Sequence, residues 1–133
     1  MSYQLGFFLG VSIVFFYSLS VLNFIVKYIN KKYKSKINSN KKLKSVFNPF
    51  MKFIVRNHKL FGVLTAVSLI AHFTVQYSLF GLSTTGALAG TTLILQVILG
   101  GYIYRKKKRK GIVFQSHRLL AILLLILMAI HIF

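Results

Sequence analysis

The chain contains neither aspartate nor glutamate among its 133 residues. Carboxylate acid–base catalysis and carboxylate metal ligation are therefore excluded from its own side chains. Cysteine is also missing, which removes disulfides, thiolate nucleophiles, iron–sulfur ligation and any thioether-linked prosthetic group. There is no tryptophan, and proline occurs once, so the chain has few built-in breaks in helical structure.

What remains is apolar and cationic. Hydrophobic residues make up 56% of the chain and 18 Lys and Arg carry a formal charge of +18, a balance no water-soluble domain could hold without aggregating. The cations are confined to residues 27–59 and 105–118. The uncharged stretches between them accommodate four helices of membrane length, each needing about 20 apolar residues. These fall at residues 5–26, 60–80, 86–104 and 112–133, with a turn at Gly81-Leu82-Ser83-Thr84-Thr85. The expected fold is an all-α integral membrane protein, one four-helix transmembrane bundle over residues 1–133 made of two repeated helix hairpins.

Both basic stretches, read as loops at 27–59 and 105–111, then lie on one side. The positive-inside rule makes that side cytoplasmic and puts the N- and C-termini outside. Met1-Ser2-Tyr3-Gln4 lacks the basic start of a signal peptide, so the first span reads as a retained anchor. Asn48-Pro49 reads as an N-cap with proline at the first helical position, opening the second helix two turns before His58. Lysine and asparagine richness suits an AT-rich bacterial genome and hence the bacterial cytoplasmic membrane.

All four histidines fall into two pairs of equal spacing, His58 with His72 and His117 with His131, 14 residues apart. In a helix that interval closes to about 40° from four full turns and rises about 21 Å, so both members face one direction at two depths. The pairs sit in a repeat. His58-Lys59-Leu60-Phe61-Gly62-Val63-Leu64 aligns with His117-Arg118-Leu119-Leu120-Ala121-Ile122-Leu123. With the two copies parallel, His58 is level with His117 and His72 with His131.

Intramembrane histidines are functional candidates because an unsatisfied polar group in lipid is costly. A hydrogen bond to a neighbouring Ser, Thr or Gln accounts for one histidine but not for two equal spacings. Zinc wants four ligands, and two imidazoles per level supply half a site. A haem iron needs two axial ligands only. The expected cofactors are two b-type haems, with His58, His117, His72 and His131 as the metal ligands.

Small residues fit that reading. Gly62 and Ala121 stand four residues after the inner histidines, where a bulky group would strike a ring, and Gly86 and Gly100 repeat the 14-residue interval on the third span. Gly6 and Ser20 repeat it on the first span, where ordinary small-residue helix packing is the preferred explanation. Arg56, Lys59 and Arg118 are the cations available to inner propionates. The outer pair depends on Ser83, Thr84, Thr85, Gln76 and Tyr77. Met128 is read as packing against the outer ring rather than as a ligand.

Two helices with His-x13-His, second and fourth in a four-helix bundle, resemble the haem-bearing bundle of the dihaem cytochrome b family of respiratory complexes. Ferric reductases and NADPH oxidases use paired histidines similarly. The resemblance implies electron transfer through two stacked haems between a cytoplasmic or quinone donor and an outer-face acceptor. It covers residues 58–80 and 86–133 well, and the first span only by position. No Pro-Glu-Trp-Tyr loop, further helices, flavin domain or Gly-rich dinucleotide motif accompanies it.

No catalytic residue is assigned. An alternative is an oxidoreductase acting on quinone, superoxide or a metal ion at an exposed haem, and a third reading is a non-redox transporter or assembly protein. The lysine-rich stretch reads first as a topology signal that attracts membrane lipid and second as a docking surface for an acidic cytoplasmic redox protein. Nucleic-acid binding does not suit Arg105-Lys106-Lys107-Lys108-Arg109-Lys110 in a tight loop between membrane helices.

Overall fold

A computed structural model describes residues 2–133. They form α1 (Tyr3–Ser39), α2 (Lys41–Phe80), α3 (Thr84–Lys106) and α4 (Ile112–Ile132). Each contains a window long and apolar enough to cross a membrane, and no strand occurs among the described residues. The fold class expected from the sequence is the one observed.

The helices owe their form to apolar residues spread around most of their circumference. Side chains such as Phe7, Phe15, Val67, Ile70, Ile98, Leu119 and Ile126 are exposed, as a lipid-facing surface requires. Several hydroxyls are satisfied inside their own helices. Thr65 donates to the Phe61 carbonyl at 2.7 Å, Thr92 to Leu88 at 2.8 Å and Ser18 to Val14 at 2.7 Å, which removes the penalty of an unpaired group in hydrocarbon.

Packing is strongest within two hairpins, α1 against α2 and α3 against α4, with a lighter contact between α2 and α3. The chain reverses at Gly81, where φ is 77°, and before α4 at Gly111, where φ is 96°, both left-handed conformations that favour glycine. Ser83 caps α3 by accepting from the Gly86 N–H at 3.3 Å. Each helix runs opposite to the one before it. Consequently α2 and α4 are parallel, and both basic segments emerge at the same end.

The stretch at 27–59 is not a loop. α1 continues through Ser39 and α2 starts at Lys41, so residues 27–59 form the protruding end of the first hairpin. The cap of α2 is Asn40, whose side chain accepts from the Leu43 N–H at 3.1 Å, and Pro49 lies inside the helix. Asn48-Pro49 is therefore not the helix start, and His58 is 18 residues beyond the cap. The physical reason is packing. Val26, Ile54 and Phe61 form a buried cluster joined by Leu22, Phe47, Met51 and Val55, and that apolar seam outweighs the local cost of one proline. α1 is distorted at Tyr33, with φ −114° and ψ 20°.

A second cluster lies deeper in the bundle. Tyr17, Ala89, Leu93 and Leu124 are buried together, with Leu69, Leu127 and Met128 against them. These residues tie the two hairpins to each other.

Candidate functional site

Every histidine is held by the partner helix of its own hairpin through Nδ1. His58 contacts the Ser20 carbonyl oxygen at 3.1 Å and His72 that of Gly6 at 2.9 Å. On the other hairpin, His117 contacts the Gln96 carbonyl oxygen at 3.1 Å, and His131 contacts Thr85 Oγ1 at 2.9 Å. A carbonyl can only accept, so Nδ1 of the first three carries the proton. In the neutral ring this leaves the Nε2 lone pair free, which is the tautomer that imidazole uses when Nε2 binds a metal.

The spacing of the acceptors explains the spacing of the histidines. Gly6 and Ser20 are 14 residues apart on α1, facing His72 and His58, which are 14 apart on α2. Gly6 also packs closely on Gln76, where a Cβ would lie at 3.3 Å, as the small-residue packing expected there requires, and the histidine acceptor is the backbone rather than either side chain. On α3 the residue 14 before Gln96 is Leu82, which precedes the helix. No helical carbonyl is available at that level, and the Thr85 hydroxyl takes its place.

Glycines sit where the rings approach most closely. A Cβ at Gly86 would meet His131 Cε1 at 3.0 Å, one at Gly100 would meet His117 Cε1 at 3.1 Å, and one at Gly10 would meet His72 Cε1 at 3.3 Å. Gly10 and Gly100 each follow an acceptor, Gly6 and Gln96, by one turn, so the missing side chain clears the approach to that carbonyl. Gly10 was not among the residues singled out from sequence; the shared four-residue offset from a 14-residue position was the available signal. Gly62 has no protein atom within 4 Å of its Cβ position, so no protein neighbour limits its size.

Across the bundle, His58 is an electrostatic neighbour of His117, and His72 of His131. Two levels result. Between them Tyr17, buried to 2% exposure, donates its hydroxyl to the Ala121 carbonyl at 2.8 Å and lies 3.3 Å from Gln96 Oε1. Gln96 thus touches Tyr17 with its side chain and His117 with its backbone. Sequence reading missed Tyr17 because one tyrosine in an apolar run has no distinguishing pattern.

Among the described residues, three buried polar atoms lack a hydrogen-bond partner: Ser20 Oγ, Asn23 Oδ1 and Gln76 Oε1. They are not scattered. Ser20 is the residue that holds His58, Asn23 is one turn further along α1, and Gln76 is one turn beyond His72 and packs where a Gly6 Cβ would stand, at 3.3 Å.

The inner cations divide. Lys59 Nζ lies 4.2 Å from the centre of the Tyr104 ring and Arg118 Cζ lies 4.4 Å from that of Phe24, so each ties its helix to the opposite hairpin at the inner histidine level. Arg56 instead lines an open groove in the protruding hairpin. Lys27, just beyond the apolar part of α1, is held below the ordinary lysine range by burial and by Arg109. At the outer level, Thr85 meets His131, while Thr84 caps no histidine and Tyr77 stacks on Phe73 with ring centres 5.7 Å apart. Met128 joins the apolar cluster between the levels.

Among the described residues no group of three or more His, Cys, Asp or Glu could hold a metal ion. No protein-family model, curated protein or solved structure matches the chain.

Proposed function

We propose that this protein is a transmembrane electron-transfer cytochrome that binds two b-type haems. The observation that carries the proposal is the Nδ1 contact of all four histidines, with His58 in the neighbourhood of His117 and His72 in that of His131. Two imidazoles per level suffice for axial ligation of haem iron and for no common bare-metal site.

The residues present fit the group. His58 and His117 would hold the inner haem, and His72 and His131 the outer one. The carbonyls of Ser20, Gly6 and Gln96 fix ring orientation and keep the proton on Nδ1. Gly10, Gly86 and Gly100 let the rings lie against backbone, and Gly62 leaves space beside α2. Ser20, Asn23 and Gln76 offer hydrogen-bonding groups at the two levels with nothing else to bond. Bound haem supplies reversible one-electron Fe(III)/Fe(II) chemistry.

The chain's own residues bind, orient and insulate. Tyr17, Leu93 and Leu124 exclude water between the levels, and Lys59 and Arg118 set the local field at the inner one. The basic end faces the cytoplasm in this reading, with both termini outside, in the cell membrane of a bacterium. Electrons pass between a cytoplasmic or quinone donor and an acceptor at the outer face.

One observation favours a second reading, an oxidoreductase acting on an external quinone, superoxide or metal ion. His131 is exposed whereas the other three histidines are half-buried, so chemistry at the outer level is accessible from outside.

The deciding experiment is a pyridine haemochrome assay on protein expressed with ample haem. Two haems per chain are expected. One or none would overturn the proposal, and reduction of an added outer-face acceptor by the purified protein would favour the second reading.

A further inference from the structure

The protruding half of the first hairpin carries an open groove of about 710 Å³ along α1 and α2. Its cations are Lys34 from α1 and Lys52 and Arg56 from α2. Three amides, Asn30, Asn38 and Asn48, alternate with them, and Met51 and Val55 contribute an apolar lining. The volume is in the range of small-molecule sites.

The charge arrangement is unusual in one respect. With no aspartate or glutamate in the chain, three exposed cations line one groove without any internal counter-ion, and solvent weakens but does not remove their mutual repulsion. An anion placed among them reverses that sign.

We propose that this groove binds a phosphate-bearing anion. The Arg56 guanidinium matches two phosphate oxygens at once, and Lys34 and Lys52 add point charges. The amides suit ester and hydroxyl oxygens, and the apolar lining suits the body of the ligand. Arg56 is two residues, a rise of about 3 Å, from His58, at the edge of the uncharged span. The near end of the groove is thus at headgroup depth, and an anionic phospholipid is the expected source. A soluble polyphosphate carries the same chemistry from the other direction. The inference does not depend on haem.

The test uses the full chain in neutral detergent. Retention of phosphatidylglycerol against phosphatidylcholine is read by native mass spectrometry, and inorganic pyrophosphate is titrated calorimetrically. The triple variant Lys34→Gln, Lys52→Gln, Arg56→Gln is compared with Lys106→Gln, Lys107→Gln, Lys108→Gln, which removes equal charge from the other basic segment. Retained phosphatidylglycerol, weakened tenfold or more by the first triple and unchanged by the second, is the expected result. Pyrophosphate binding with the same dependence would support the site with a soluble ligand. Equal weakening by both triples, or no retention of either probe by the parent protein, would overturn it. Should the first triple fail to fold, Arg56→Lys keeps the charge and loses the bidentate fork, and unchanged affinity in that variant would equally overturn the proposal.

Discussion

His72 donates its Nδ1 proton to the carbonyl of Gly6 across the first hairpin, at 2.9 Å, and Gly10 one turn later leaves room for the ring. The same relation joins His117 to Gln96 and Gly100 in the second hairpin. The two hairpins are built on one local plan although their lengths differ.

If the protein binds haem as proposed, replacing Gly10 with leucine is expected to displace His72 and abolish the outer haem, and Gly100→Leu the inner one, because even a Cβ would lie 3.3 and 3.1 Å from the respective rings. Helical content should be retained, since leucine is about 1 kcal/mol better than glycine in a helix. Gly62→Ala, which meets no protein neighbour, tests whether the space beside it is filled by cofactor. Low-temperature α-band spectra distinguish the outcomes.

Single replacements of the histidines test the pairing. His58→Ala and His117→Ala should lose the same spectral component, and His72→Ala and His131→Ala the other, as the parallel course of α2 and α4 demands. If His58→Ala and His117→Ala lost different components, the two-level arrangement would be wrong.

Tyr17→Phe removes a hydroxyl that bonds Ala121 and approaches Gln96. A loss of about 1 kcal/mol is expected from a single hydrogen bond of this kind. Haem content should not change, because Tyr17 touches no histidine directly. Thermal inactivation with absorbance readout measures both.

The protruding hairpin makes a prediction that a basic loop does not. The contacts Ser20 to His58 and Gly6 to His72 fix a register that sets Asn30 opposite Asn48. The chain has no cysteine, so cysteines introduced at these two positions are the only labelling sites. Pulsed electron–electron resonance of the doubly labelled protein should give one narrow distance distribution; a broad one would show an unstructured segment.

The sequence made the bundle legible because charge and hydropathy segregate so completely, and it made the histidines legible because four of one rare residue fall at one repeated interval. Gly86 and Gly100 were read for the same reason. The carbonyls at Gly6, Ser20 and Gln96 were not, because a backbone acceptor leaves no side-chain signature. The helical extension at 27–59 was misread because Pro49 and a run of lysines suggest a loop locally, whereas Val26, Ile54 and Phe61 meet only when the hairpin forms. Thr85 was expected to serve the outer propionates. Its contact with His131 was not legible, since it arises only because α3 begins too late to offer a carbonyl there.

The placement of the cations predicts a difference between the two proposed haems. Lys59 and Arg118 lie on Tyr104 and Phe24 at the inner level, while no lysine or arginine occurs between residues 60 and 104, the segment that contains the outer turn. Positive charge favours the reduced, more negative state of a nearby haem, so the inner haem should have the higher potential. Removing Lys59 and Arg118 together as glutamines should lower that potential by on the order of tens of millivolts, with solvent and lipid phosphates screening part of the effect. Arg56 lines the hairpin groove, so Arg56→Gln alone should shift it less. Redox titration of each variant, with the inner component identified by its loss in His58→Ala, measures the shift; equal changes in both haems would show that these two cations do not create the asymmetry.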